Sequence, residues 1–130
     1  MDSGLIRPPF GHLNLLSSID IYREGYRSIG WSHHAEDWLD HSPEVIFAKL
    51  SERIKPGSII LLHDNLIHFE RVECRDRRPT IAAVDKLLSS MRHFQFVAVD
   101  HLLRSGTPVY RRWRPPTDAD YIGSLLHSPH

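Results

Sequence analysis

The sequence has little cysteine, and its single thiol, Cys74, excludes an internal disulfide framework. Long hydrophobic runs are also absent: the longest have four residues, such as residues 59–62, far short of the roughly 20 that span a bilayer. Neither sign of charge dominates, because 16 basic residues meet 16 acidic ones, so no overall field attracts nucleic acid or anionic membrane. No basic, apolar leader opens the sequence, so we expect no signal peptide here, and the compartment stays open.

What the sequence does contain favours a folded protein. Hydrophobic residues make up 41% of the 130 residues, which is compatible with a packed core and argues against global disorder. The length is enough for one domain or for part of a larger one. Ten histidines are many for this length, and they direct attention to metal binding or acid–base chemistry.

Four stretches have helical signals. The clearest start is Ser42-Pro43, which offers a serine N-cap and a proline at the first helical position. We expect that helix to bury apolar side chains and to end at Lys55-Pro56-Gly57, and we expect the third helix to show one apolar side. The predicted helices cover residues 13–22, 43–54, 80–92 and 100–103; the buried residues predicted for the second are Val45, Ile46, Leu50 and Ile54, and the apolar side of the third holds Ile81, Val84, Leu87, Leu88 and Met91.

Short apolar runs alternate with these helices. Predicted strands cover residues 26–32, 58–62 and 94–99, and residues 5–10 are a strand end or loop closed by Pro8, Pro9 and Gly11. Strands that alternate with helices imply parallel strands joined by crossovers, so we predict an α/β fold of three or four such units. We expect residues 1–105 to form the folded domain and residues 106–130 a loosely docked or mobile tail.

Polar and aromatic residues follow three predicted strands, where functional residues of parallel α/β folds gather. The three stretches are residues 7–11, 31–38 and 61–64. His63 is the strongest candidate, because a histidine at the mouth of an apolar pocket can exchange a proton near neutral pH. A core histidine bonded to Asp64 or to the backbone is the open alternative.

Asp37, Trp38 and Arg7 are weaker candidates when each is taken alone. Asp37-Trp38 can be interpreted as a functional carboxylate beside a flat aromatic wall. The alternative is a structural role, with the aspartate capping a turn and the tryptophan filling the core. Arg7 precedes two prolines, which stiffen the backbone and suit an arginine that pairs with a carboxylate in fixed geometry. The alternative is a surface arginine at a turn.

The histidine spacing does not predict a complete metal site within this sequence. His33 and His34 are adjacent, and adjacent residues on a strand point to opposite faces, so they cannot easily share one ion. No two histidines are four residues apart, and His127 and His130 lie in the predicted tail. The basic, aromatic residues 110–114 are interpreted as a solvated segment rather than a nucleic-acid or membrane contact.

Taken in order, three motifs resemble the NodB-homology polysaccharide deacetylases, carbohydrate esterase family 4. They are Arg7-Pro8-Pro9-Phe10-Gly11, Asp37-Trp38 and Leu61-Leu62-His63-Asp64. Each motif is weak alone, but their order and spacing are specific. The resemblance extends over residues 5–103, and residues 80–103 look like the family's final helix, strand and short helix. It implies the C-terminal part of a distorted (β/α) barrel.

The activity implied by the resemblance is removal of acetyl groups from N-acetylated sugars, a hydrolysis of a non-peptide C–N bond, with a divalent metal that is often zinc. The implied catalytic residues are His63 as general acid, Arg7 as the partner of a catalytic-base aspartate, and Asp37 in contact with that arginine. The implied substrate contacts come from the backbone N–H of Phe10, which helps hold the oxyanion, from Trp38, which walls the groove, and from Leu61, which lines the acetyl-methyl pocket.

The sequence departs from the family pattern in two ways. The family's Asp-Asp and His-x-x-x-His motifs, which supply the base and metal ligands, lie ahead of the arginine motif, yet only six residues precede Arg7. We therefore expect the base and the metal ligands to be missing from this chain. His34 also stands where many members have the first aspartate of Trp-Ser-x-Asp-x-x-Asp-Trp. Two alternatives stay open: a non-catalytic fragment with a sugar-binding groove, and a small-amide hydrolase of the same superfamily.

A partial barrel would expose a strand edge and an apolar face, so we predict that this chain self-associates. Sedimentation velocity over a range of concentrations should show species larger than the monomer. A compact monomer that is stable at every concentration would contradict the prediction.

Overall fold

Two pairs of short parallel strands, each joined by a helix, open the described part of the chain. The computed structural model describes residues 4–11, 13–39, 41–66 and 75–110. These residues fall into two compact units, which we call the first unit (residues 4–30 and 108–110) and the second unit (residues 31–107). The elements in chain order are β1 (Leu5–Ile6), a 3₁₀ turn (Pro9–Gly11), α1 (Leu15–Arg23), β2 (Arg27–Ser28), β3 (His33–His34), α2 (Pro43–Ser51), β4 (Ile60–Leu61), α3 (Arg78–Ser90) and α4 (Val99–Ser105).

In the first unit, β1 and β2 pair in parallel and α1 provides the crossover. Leu5 lies opposite Arg27 in the register. The helix begins at Asn14, whose side-chain oxygen accepts the backbone N–H of Ser17 at 2.8 Å. The predicted helix is confirmed, but its apolar stripe is not buried: the side chains of Leu15, Leu16, Ile19 and Tyr22 are all exposed.

In the second unit, β3 and β4 pair in parallel, with His34 opposite Leu61, and α2 provides the crossover. The predicted cap is confirmed, because the Ser42 hydroxyl accepts the N–H of Val45 and Pro43 opens the helix. After α2, the chain turns at Gly57, whose φ of +84° is a backbone conformation that glycine adopts without steric cost.

The core of the second unit lies between α2 and α3. Ile46 and Leu50 from α2 meet Ala83 and Leu87 from α3, and Ala35 closes the cluster from the loop after β3. The burial predicted for Ile46 and Leu50 is confirmed. The burial predicted for Val45 is wrong, since its side chain is 40% exposed. Ile46 and Leu50, four residues apart, form the row of α2 that faces α3, and Val45 lies off that row. The partly buried side chains around the cluster are Phe47, Ile54, Ile60, Leu62 and Met91.

The buried face of α3 is rotated from the predicted one. Thr80, Ala83 and Leu87 are buried, whereas Ile81 is 66% exposed and Leu88 is 46% exposed. The predicted side was defined by large hydrophobic side chains, whereas two of the three buried residues, Thr80 and Ala83, are small. Ala83 allows the two helices to approach closely, so the contact follows the small side chain rather than the most hydrophobic row.

The strand predicted over residues 94–99 is wrong. Residues 94–98 have no regular structure, Phe96 and Val97 are partly exposed, and Val99 already begins α4. A strand is stabilised only when its backbone groups find a neighbouring strand, and the described sheets offer residues 94–98 none. The short helix predicted for residues 100–103 is confirmed within α4.

The structure therefore supports the α/β class with parallel strands and connecting helices. Most of the predicted tail, residues 111–130, lies outside the described residues, as do residues 67–74 with Cys74. Over the ranges that the structure covers, none of the helices has both the length and the apolarity that crossing a bilayer requires.

We predict that Leu50→Ala destabilises the second unit by about 2–5 kcal/mol, because it leaves a cavity at a fully buried position between α2 and α3. Val45→Ala, on the same helix but 40% exposed, is the matched control and should cost well below about 1.5 kcal/mol. Urea denaturation followed by circular dichroism measures both. Equal losses in the two variants would contradict the assignment of the core.

Candidate functional site

The register of β3 and β4 brings Asp37 and His63 to one edge of the second unit's sheet. His34 lies opposite Leu61 in the parallel pair. Asp37 follows His34 by three residues and His63 follows Leu61 by two, so both side chains lie just beyond the carboxyl ends of their strands. The structure thus places two of the predicted catalytic residues together, where parallel α/β folds hold their ligands.

Asp37 binds His63 twice. Its Oδ2 accepts the backbone N–H of His63 at 2.9 Å, and its Oδ1 lies 3.0 Å from the ring Nδ1. A carboxylate only accepts hydrogen bonds, so Nδ1 carries a proton and Nε2 is the ring nitrogen that can give or take one. The Asp37 side chain is fully buried, whereas that of His63 is one-third exposed. The pairing of His63 with Asp64, considered from the sequence, is replaced by the pairing with Asp37.

A third residue, Arg77, also lies against this carboxylate. Its Nη2 lies 3.5 Å from Asp37 Oδ2, and it donates hydrogen bonds to the backbone carbonyl oxygen of Asp37 and to Thr80 Oγ1. Sequence reasoning missed Arg77, because it falls in the charged stretch 65–78, which has no hydrophobic period. The one signal that could have found it is its position directly before a helix.

The rings of His34, Trp38 and His63 form a row. Trp38 stacks on His34 with centroids 5.4 Å apart and an interplanar angle of 30°, and it meets His63 edge-on at 5.4 Å and 84°. Trp38 therefore fixes one side of the His63 ring. The role of Trp38 as a wall of a sugar groove stays a prediction.

An open depression of about 300 Å³ lies beside His63. Its apolar walls are Leu62 from the end of β4 and Ile81 and Val84 from α3, and Asp64 and Thr80 also line it. Leu61, predicted to line an acetyl-methyl pocket, pairs with His34 in the sheet and does not line this depression. The exposed side of α3 thus supplies the apolar surface next to the histidine.

The remaining predicted residues, Arg7 and Phe10, belong to the first unit. Arg7 Nη2 donates to the carbonyl oxygen of Gly30 at 3.4 Å. Phe10 lies in the 3₁₀ turn that follows β1, which closes with a 3.0 Å hydrogen bond from the N–H of Gly11 to the carbonyl oxygen of Pro8. The predicted contact between Arg7 and Asp37 and the predicted oxyanion role of the Phe10 N–H stay predictions.

Contacts of Lys49 with Glu36 and His41, which we call the loop brace, attach the segment around Asp37 to α2. Glu36 has a left-handed backbone with φ of 54°, and its Oε2 accepts a 2.5 Å hydrogen bond from Lys49 Nζ. Lys49 Nζ also lies 2.9 Å from His41 Nε2. Lys49 therefore joins both ends of the loop to the helix and stabilises an unusual backbone conformation next to the buried aspartate.

The described residues do not fit a metal centre by themselves. Nowhere in the ranges 4–11, 13–39, 41–66 and 75–110 do three side chains of histidine, cysteine, aspartate or glutamate come together to hold an ion. The two histidines of β3 diverge, with His33 partly buried and His34 exposed. We therefore derive no chemical step through a metal.

Comparison with known proteins finds relatives that are named as deacetylases, although no family model matches the chain. The chain is 34% identical over 104 residues to a peptidoglycan-N-acetylglucosamine deacetylase of Bacillus cereus, covering 77% of this chain and 45% of that protein. It is 29% identical over 77 residues to a chitooligosaccharide deacetylase of a Bradyrhizobium species, covering 57% and 35%. The chain thus spans less than half the length of either relative.

Two solved structures are similar to this one. A family 4 carbohydrate esterase from Streptomyces lividans, in complex with acetate, matches with a TM-score of 0.55 and 25% identity over 68% of this chain and 40% of that one. A deacetylase called T48, solved with substrate, matches with a TM-score of 0.59 and 30% identity over 78% and 45%. These similarities confirm the resemblance to the NodB-type deacetylases that the three motifs predicted.

The loop brace predicts a pH-dependent stability. The hydrogen bond from Lys49 lowers the pKa of Glu36 below its usual value of 4.5; burial opposes this shift, and the charges of Lys49, His34 and His41 lower the pKa further. A carboxyl group whose pKa is lower in the folded state stabilises the fold above pH 4.5, and that contribution disappears as pH falls through the folded-state pKa. Because the side chain is 42% exposed, solvent screening limits the effect to about 1 kcal/mol or less.

Glu36→Gln should therefore be less stable than the parent at pH 7 and should match it at a pH below the folded-state pKa, where Glu36 is protonated. Urea denaturation at a series of pH values measures the difference. Glu52→Gln, exposed beyond the end of α2, is the control. A stability gap that stays constant across the whole pH series would contradict the brace.

Proposed function

We propose that this chain is the C-terminal part of a carbohydrate N-deacetylase related to the family 4 esterases, which hydrolyses the acetamide C–N bond of N-acetylated sugars. The observation that carries the proposal is the Asp37–His63 pair at the carboxyl ends of β3 and β4. The names of the two relatives point to polymers or oligomers of N-acetylglucosamine as the substrate class. Because the chain spans less than half of each relative, the activity is proposed for the whole protein.

The proposed whole domain is a distorted (β/α) barrel. The parallel pairs β1–β2 and β3–β4, each with a crossover helix, are the repeating unit that such a barrel needs. The similarity to a family 4 carbohydrate esterase and to the T48 deacetylase, over 40% and 45% of their chains, supports the same arrangement.

In the proposed mechanism, His63 is the general acid. Cleavage of the C–N bond leaves an amine, which departs readily only when a proton reaches its nitrogen. Asp37 accepts the Nδ1 hydrogen bond and so orients the ring, which leaves Nε2 to deliver the proton. One-third exposure of the His63 side chain leaves it accessible to a substrate.

The surroundings of His63 suit a sugar bearing an acetamide group. Trp38 lies edge-on to the histidine and offers a flat aromatic surface, which we propose as the wall of the groove. The depression lined by Leu62, Ile81 and Val84 offers an apolar surface on which the acetyl methyl group can pack and from which water is displaced. In the whole site, the N–H of Phe10 is the proposed donor to the oxyanion and Arg7 the proposed partner of the base.

A divalent metal, with zinc as the expected ion, would polarise the amide carbonyl and activate the attacking water in a complete site. The described residues do not assemble a set of three ligands for it, so the part of the reaction assigned to this chain is proton donation and substrate positioning.

The decisive experiment is His63→Ala in the complete protein, assayed by acetate release from an oligomer of N-acetylglucosamine. We expect turnover to fall by about 100-fold or more, the usual contribution of a general acid, while circular dichroism shows that the variant still folds. His101→Ala, exposed on α4, is the matched control and should retain full activity.

Normal turnover in His63→Ala would remove this histidine from the mechanism. Binding of the oligomer without any acetate release, by a folded and metal-supplemented protein, would favour a non-catalytic sugar-binding groove. Acetate release only from small non-sugar amides would favour a different amide hydrolase of the same superfamily.

A further inference from the structure

The Asp37 carboxylate is fully buried and therefore depends on its hydrogen-bond partners. An ionised carboxylate loses its hydration when it is buried, and it remains charged only where donors and a compensating cation replace the water. His63 supplies two donors to it. Arg77 places a permanent positive charge beside it, and the side chain of this arginine is only 12% exposed.

The guanidinium of Arg77 contacts Asp37 at two separate points. Its Nη2 lies 3.5 Å from Oδ2 and also donates to the backbone carbonyl oxygen of the same residue. Contact with both the main chain and the carboxylate limits rotation of the side chain as well as movement of the loop. The third contact, to Thr80 Oγ1 one turn along α3, holds the guanidinium itself in place.

We propose that Arg77 is a positioning residue for proton donation: it holds the Asp37 carboxylate in the orientation that keeps the Nδ1 hydrogen bond of His63 and directs Nε2 to the leaving amine. The proposal deepens the deacetylase function proposed above and rests on it. Arg77 acts through Asp37, and no direct contact with substrate is assigned to it. A lysine at this position would keep the charge but lose the planar arrangement of donors.

The neighbouring arginine provides a contrast within the same helix. Arg78 is 89% exposed and pairs with Asp76 at 2.7 Å, and within the described residues it forms no ion pair with Asp37 or His63. Loss of Arg78 removes one positive charge from the first turn of α3, just as loss of Arg77 does at its N-cap. A comparison of the two positions therefore separates a specific effect on the Asp37–His63 pair from a general effect of charge.

The first test uses this chain and does not depend on turnover. Proton and nitrogen NMR of the histidine side chains reports the Nδ1–H of His63 as a resonance shifted downfield by its bond to Asp37, assigned by its loss in His63→Gln. Asp37→Asn is the reference for a broken pair, because its amide has one acceptor oxygen for two N–H donors. We expect Arg77→Gln to move the His63 signals most of the way to that reference, Arg77→Lys to move them part of the way, and Arg78→Gln to leave them unchanged.

The proposal is overturned if Arg77→Gln keeps the parent His63 signals in a folded chain, or if Arg78→Gln shifts them equally. If Arg77→Gln does not fold, Thr80→Val answers the same question, because it removes the hydroxyl that holds the guanidinium and keeps the side-chain shape. Thr80→Val should then shift the His63 signals in the direction of Asp37→Asn, and unchanged signals would overturn the proposal.

The second test measures kinetics in the complete protein. Arg77→Gln should lower kcat by about 10- to 100-fold with little change in KM, the loss expected when a reacting group is misplaced, and Arg77→Lys should restore part of it. A change confined to KM would overturn the positioning role. If the complete protein released no acetate from any N-acetylated sugar, the proposed function would fail, whereas the NMR comparison would still show whether Arg77 orients the pair.

Discussion

The buried Asp37 carboxylate is the constraint on which the rest of the candidate site depends. Its side chain has no exposure to solvent, so every hydrogen bond that water would supply must come from the protein. The parallel register of β3 and β4 places the backbone N–H and the ring of His63 at its two oxygens. The site is therefore a consequence of strand pairing: a shift of one residue in that register would turn the His63 ring away from the carboxylate.

Helix packing then determines where the compensating cation lies. Leu50 and Ile46 of α2 pack on Ala83 and Leu87 of α3, and the methyl side chain of Ala83 permits close contact between the two helices. Arg77 precedes the first turn of α3, so this contact carries its guanidinium to the loop that follows β3. Lys49 of α2 holds the same loop through Glu36 and His41. The core thus stabilises the fold and also sets the geometry of the polar site.

The sequence alone predicts the parts of this arrangement that have local signals. Ser42-Pro43 starts a helix as expected, and Asp37 and His63 each follow a strand, so that the parallel pair β3–β4 holds both at one edge of the sheet. Arg77 could not be predicted, because its role depends on a contact across 40 residues that leaves no periodic pattern. The apolar side predicted for α3 matches its buried face only in part, at Leu87 and Met91, for a related reason. The fit between helices selected Ala83 over Ile81, and hydrophobicity alone cannot indicate that choice.

The described geometry separates two parts of amide hydrolysis that a complete deacetylase must combine. Proton delivery to the leaving amine requires an oriented histidine, and Asp37, His63 and Arg77 all lie within the second unit. Activation of the attacking water requires a metal or a base, and the described residues assemble no cluster of three metal ligands. Within the described residues, the contacts that orient the proposed acid come from Asp37, with Arg77 beside that carboxylate. The orientation proposed for His63 therefore depends on the contact between α2 and α3, which places Arg77 against the loop that carries Asp37.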